Sequence, residues 1–159
     1  MAKNRQNNEV YLDDIDKLIL RELMNNSRMP ATELAPIIGL SVPATNNRIQ
    51  KLSEKGIIEQ FTIRTNLERI GKNVVAFVNI TIDQYKIFDN LMRYIRSNPQ
   101  IQECYAITGE FDYLIRVCTG SIRQLEDIII DLKKIEGVVG TNTVISLETH
   151  KFAPYVLPE

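Results

Sequence analysis

Residues 31–56 read ATELAPIIGLSVPATNNRIQKLSEKG, and the fold turns on how this stretch divides. Leu34, Ala35 and Ile38 recur at helical spacing and give a first short helix one apolar side. Gly39 stops it, because glycine adopts the left-handed backbone of a helix C-terminus without a Cβ penalty. A second helix starts at once. Ser41 is its cap, Pro43 falls in the tolerant first turn, Ile49 and Leu52 face inward, and Gly56 ends it. Two helices joined by a short turn at Gly39, with small Ala35 permitting a close crossing, describe a helix-turn-helix.

In such a unit the second helix enters the major groove and its early residues meet base edges. Ser41, Val42, Pro43, Ala44, Asn46 and Asn47 would supply that surface. Asparagine pairs bidentately with adenine and arginine with guanine, so Asn46, Asn47 and Arg48 are the candidate readers. Lys51 and Lys55 add positive charge on one flank, and Arg28 in the preceding turn is placed for a phosphate. The competing reading is the solvated polar side of a small helical domain. The Ala–Gly–Ser spacing across two amphipathic helices favours DNA. Two residues sit awkwardly: Pro36 removes a helix hydrogen bond, and Thr45 stands where an apolar contact to the preceding helix is expected. Both predict a strained or loosely packed motif.

Working outward, LDDIDKLILRELMNNSR at residues 12–28 predicts a helix capped by Asp13. Asp14 and Asp16 lie in its first turn, where the dipole favours negative charge. Ile15, Leu18, Ile19 and Leu23 form its inner side. Residues 1–10 are a polar arm, with Lys3 and Arg5 able to touch phosphate, and IIEQFTIRTN at 57–66 reads as a short strand. The expected organisation is a helix-turn-helix unit over 1–62, a link over 63–73, and a second unit over 74–159.

In the second unit the pattern changes to alternating strands and helices. VVAFVNITI, IQECYAI, DYLIRVCT and TNTVISLET read as strands. FDNLMRYIRSN is a helix with Phe88, Leu91, Met92 and Ile95 inward. SIRQLEDIIIDLKKI is another, opened by a Ser121–Gln124 capping box, with Leu125, Ile128, Ile129, Leu132 and Ile135 inward. The order βαββαβ predicts an α+β ferredoxin-like domain, an antiparallel sheet with both helices on one face. The uncovered face would then expose apolar side chains, which predicts dimerisation through residues 74–119.

Whole-chain charge gives no support to a nucleic-acid or membrane partner, since the net charge is −1. A DNA claim must rest on a local surface. No run approaches the roughly 20 apolar residues of a membrane span, and the N-terminus lacks the apolar core of a signal peptide. A cytoplasmic protein is expected, with Cys104 and Cys118 as buried free thiols, although neighbouring strands could allow them to pair. Catalysis is not expected. The single histidine, His150, sits in the C-terminal tail, and neither metal-ligand spacing nor a phosphate-binding loop appears.

These residues, in this order, resemble the Lrp/AsnC transcriptional regulators. The resemblance runs from the stretch at 12–62 through ITGEFDYLI at 107–115 to GVVGTNTVISLE at 137–148. It implies a DNA-binding first unit and a second unit that senses an amino acid and oligomerises, as dimers that often assemble to octamers. It also implies an effector cleft between dimers lined by Thr108, Gly109, Glu110 and Asp112, with Thr141 and Thr143 nearby. The chemistry suits an amino acid. Gly109 lets backbone approach a ligand carboxylate, and Asp112 can hold an ammonium. An ordinary tight turn, with Asp112 accepting backbone donors, is the plainer reading of the same residues. Pro30, Pro36 and Thr45 depart from the family pattern. No cofactor is implied beyond the amino-acid effector. The rival function is an amino-acid-sensing subunit that controls an enzyme without touching DNA.

Overall fold

A computed structural model describes residues 11–83, 88–153, 155 and 156. The arm with Lys3 and Arg5, and the side chain of Phe88, lie outside the described residues. The chain divides into two compact units. One holds the described residues up to Arg64 together with those from Phe152 onward, the other Thr65–Lys151.

The first unit contains α1 (Asp14–Asn25), α2 (Ala31–Ile38) and α3 (Val42–Glu54). Asp13 caps α1, its Oδ1 accepting the Asp16 amide at 2.8 Å. Gly39 ends α2 at φ 69°, and its amide donates to the Ala35 carbonyl. Ser41 caps α3, its Oγ accepting the Ala44 amide at 3.4 Å. Ile19, Leu20, Leu23, Leu34, Ile38 and Leu52 form the buried core, with Ile15, Leu18, Ile49, Ile57 and Ile58 packed around it.

The two awkward residues are accommodated without a loose motif. Pro36 lies on the exposed side of α2 beside exposed Thr32, where water can satisfy the carbonyl that loses its donor. Thr45 is fully buried, and its hydroxyl donates to the Ser41 carbonyl at 3.0 Å. That carbonyl also accepts the Thr45 amide, so removing the hydroxyl strands no donor. Thr45→Val is therefore expected to leave the unfolding free energy from a urea titration unchanged or to raise it by no more than about 1 kcal/mol.

The strand predicted over 57–66 does not form. Ile57 and Ile58 turn into the helical core, and the residues beyond them are exposed, Phe61 at 54% and Ile63 at 80%. A strand exists only with a ladder partner, and none of the described residues pairs with this stretch. At its end the Arg64 guanidinium lies 4.5 Å over the Phe152 ring.

The second unit runs β1 (Val74–Ile82), α4 (Phe88–Ser97), β2 (Ile101–Ala106), β3 (Tyr113–Thr119), α5 (Ile122–Lys134) and β4 (Val138–Ser146). The sheet order is β2-β3-β1-β4, every pair antiparallel. This is the ferredoxin-like arrangement expected from the βαββαβ order. Residues opposite one another share a face. Ala76, Val78 and Ile80 of β1 and Tyr113, Ile115 and Val117 of β3 pack with Leu91, Met92 and Ile95 of α4 and with Leu125, Ile128 and Leu132 of α5. Both helices therefore cover one face. Ser121 caps α5 through the Gln124 amide, while the Gln124 side chain reaches back to Gly120.

The other face is mixed rather than uniformly apolar. Phe77 pairs with Arg116 on one side and Val144 on the other. Phe77, Val144 and Tyr105 are exposed, but Arg116 ion-pairs with Glu103 at 3.4 Å and donates to Gln102. Cys104 is half-buried and Cys118 buried, both free. The register sets them on opposite faces, since Cys104 is opposite core Ile115 and Cys118 opposite Val75. They cannot pair. No described helix is long and apolar enough to cross a membrane.

Candidate functional site

Helix α3 sorts its side chains by angle. Thr45 and Leu52 are buried and Ile49 half-buried, while Ser41, Pro43, Asn46, Asn47 and Lys51 are exposed and Val42 and Ala44 partly so. Arg28 is exposed in the turn after α1, its amide donating to Asn26 Oδ1 at 3.1 Å. Asn46, Asn47 and Lys51 thus stand on the open side of the second helix of the pair, as a groove reader requires.

Arg48 behaves differently from its neighbours. Its Nη1 donates to Asp13 Oδ2 and, at 2.9 Å, to Asp16 Oδ1. The side chain expected to read guanine is held across the start of α1. The ion cluster floors a groove of 510 Å³ bounded also by Tyr11, Asn47 and Lys51. Residue type and position alone assign Asp13 a capping role and Asp16 a dipole role. Nothing local signals their second task, because Arg48 lies 35 and 32 residues away.

The Arg48 hydrogen bond, then that of the Asp16 amide, holds the Asp13 carboxyl below the ordinary aspartate range. A depressed carboxyl stabilises the fold above its unfolded value and loses that contribution as pH falls through the folded one. Stability of the first unit is expected to hold at neutral pH and to decline below about pH 4, the unperturbed aspartate range. The decline should be shallower in Asp13→Asn, which a urea titration at several pH values would reveal.

In the second unit, the turn over 107–112 joins β2 to β3. Thr108, Gly109 and Glu110 are exposed at its tip, Gly109 at φ 116°. Asp112 closes the turn. Its amide donates to the Ile80 carbonyl and its carbonyl accepts the Ile107 amide, each at 3.0 Å. Its Oδ2 accepts the Ile82 amide at 2.8 Å, beside the β-bulge at Thr81/Ile82. Thr141 and Thr143 are the ladder partners of Ile80 and Val78 across β1. One end of β1 is thus flanked by Asp112 on one side and Thr141 on the other, two strand spacings or about 10 Å apart. A separate groove of 470 Å³ lies between the end of α4 and α5, lined by Tyr94, Asn98, Asp127 and Asp131. Neither the turn nor the two threonines lines it.

Comparison with known proteins bears on both units. Residues 12–59 match the family model for winged helix-turn-helix DNA-binding, and residues 75–156 the Lrp/AsnC ligand binding domain. The HTH-type transcriptional regulator FL11 of Pyrococcus furiosus is 35% identical over 140 residues, 88% of this chain and 92% of that protein. A Neisseria meningitidis transcriptional regulator solved as its L-Met complex superposes at TM-score 0.87 with 25% identity, covering 92% of this chain and 96% of that one. The feast or famine regulatory protein of M. tuberculosis, solved with L-methionine, superposes at 0.86 with 32% identity over 93% and 100%.

Proposed function

Because the chain belongs to the Lrp/AsnC family of transcriptional regulators, we propose that it reads operator DNA with α3 and answers to a free amino acid bound by its second unit. The observation that carries the first half is the exposed stripe of Asn46, Asn47 and Lys51 on the second helix of the pair. Asn46 and Asn47 meet base edges. Ser41, Val42, Pro43, Ala44 and Arg28 contact backbone and groove wall, and Lys51 contacts phosphate. The match of residues 12–59 to a DNA-binding model favours this over a sensor subunit that never touches DNA.

Two readers require two copies. The uncovered sheet face, with Phe77 and Val144 exposed, supports a homodimer that presents its α3 helices to two-fold half-sites about one DNA turn apart or a multiple. An amino acid at the 107–112 turn, between dimers, shifts the balance of dimer and octamer and so the sites occupied. The ligand carboxylate meets the backbone at Gly109 and the side chains of Thr108 and Glu110 border it. Asp112 Oδ1 takes the ammonium while Oδ2 keeps the turn closed, and Thr141 and Thr143 complete the polar lining. The L-methionine complexes of two relatives support this ligand class. The protein acts in the cytoplasm and has no catalytic role.

Selection of genomic fragments by the purified chain, with and without each common amino acid, tests the reading. A two-fold symmetric motif that Asn46→Ala plus Asn47→Ala abolishes is the expected result. No enrichment at low salt would sink it. Lys51→Ala is expected to weaken binding evenly across sequences and to reduce the slope of log K against log salt by about 1.

A further inference from the structure

We propose that Asp13 and Asp16 are positioning residues for DNA recognition: through Arg48 they fix the roll of α3 about its axis, and with it the base edges that Asn46 and Asn47 meet. This rests on the reading of α3 as the DNA reader.

Helix α3 has a thin apolar key. Its fully buried side chains are Thr45 and Leu52, one of them small and polar, with Ile49 only half-buried between them. The flank of the helix is held by charge. One Arg48 nitrogen, Nη1, bridges Asp13 Oδ2 and Asp16 Oδ1, while Asp13 Oδ1 is fixed by the Asp16 amide. Both oxygens of Asp13 are therefore engaged, and the cap of α1 and the anchor of α3 are one carboxylate. The side chains of the cluster are 33%, 38% and 15% exposed for Arg48, Asp13 and Asp16, so the pairing is partly screened from water rather than a loose surface contact.

The lever is short. Side-chain tips lie about 5–6 Å from a helix axis, so a roll of about 10° moves them about 1 Å. A bidentate contact tolerates only about 0.5 Å. Loss of the clamp should therefore blur which bases are read before it weakens attraction to phosphate. Simple charge predicts the reverse. Two carboxylates beside a DNA-reading face repel the duplex, and their removal should raise affinity for every sequence.

The two accounts separate in a binding assay on the full chain, with the selected operator and a random duplex side by side. Asp13→Asn plus Asp16→Asn keeps capping-competent side chains and removes both charges. Affinity for random duplex is expected to hold or rise, while the operator-to-random ratio falls about tenfold. Arg48→Met is expected to lower the ratio comparably, and the triple variant to add little, because the three residues act as one unit. Asp16→Asn alone leaves the Asp13 cap in place and should show the same trend, about threefold, if the double variant does not fold. Equal gains on both duplexes would overturn the proposal and reduce the carboxylates to bulk charge. A ratio lost in Arg48→Met but kept in the aspartate variants would overturn it too, making Arg48 a direct reader. A native chain with no operator preference would instead defeat the DNA-reader reading. Parallel losses on both duplexes would mark mere destabilisation and also count against positioning.

Discussion

Leu34→Ala is expected to remove about 2–5 kcal/mol from the first unit, the range for a buried leucine that leaves a cavity. Leu34 has no exposed surface and packs with Ile19, Leu20, Leu23, Ile38 and Leu52. So small a core leaves little reserve against a total of about 5–15 kcal/mol for a whole domain. The effect should be local, because the sheet unit has a separate core built from Val78, Ile80, Ile115 and Leu132. Hydrogen exchange would show it: amides of α1–α3 lose protection, those of β1 and β3 keep theirs, and operator binding disappears. Matching losses in both units would refute the picture of two cores.

The second large effect falls on Asp112. Its Oδ2 is the partner of the Ile82 amide at 2.8 Å, so Asp112→Ala leaves that donor without its acceptor. The expected destabilisation is about 1–3 kcal/mol, concentrated at the turn and the neighbouring bulge. Asp112→Asn separates two roles of this side chain. The amide oxygen still accepts from Ile82, and most of the stability should return. A carboxylate is still missing for an ammonium group. Titration calorimetry with each common amino acid is then expected to show weakened binding in both variants, against melting temperatures close to native only in Asp112→Asn. Unchanged amino-acid binding in Asp112→Asn would confine the residue to holding the turn.

The elements were legible in the sequence wherever a local rule applied. Asp13, Ser41 and Ser121 announce caps by their type and position, Gly39 announces a stop, and the apolar, β-branched run VVAFVNITI announces a strand. The order of elements then fixed the sheet plan. What failed depended on partners distant in sequence. The stretch 57–66 has the composition of a strand, but a ladder needs a second edge, and none in the described chain is offered to it. The exposure of Asn46, Asn47 and Lys51 followed from helical periodicity. The fate of Arg48 did not, because its partners lie 35 and 32 residues away in sequence, where a cap for Asp13 and a first-turn dipole role for Asp16 already account for their type. The turn over 107–112 was legible as a turn. The specific tie from Asp112 to Ile82 needed the register of three strands.

The placement of the two thiols on opposite faces of the sheet equips the chain with a pair of internal reporters. Burial raises the pKa of both, Cys104 and Cys118, and so keeps them protonated and slow to react. Cys104 is half-buried against the helical core, so lifting of α4 from β2 opens it further to a thiol reagent. Cys118 lies on the other side of the sheet, buried, and donates to Gln102 at 3.1 Å; its labelling requires that side of the sheet to open locally. A single alkylation time course, resolved by peptide mass, would thus follow opening on the two sides of the sheet as two separate clocks.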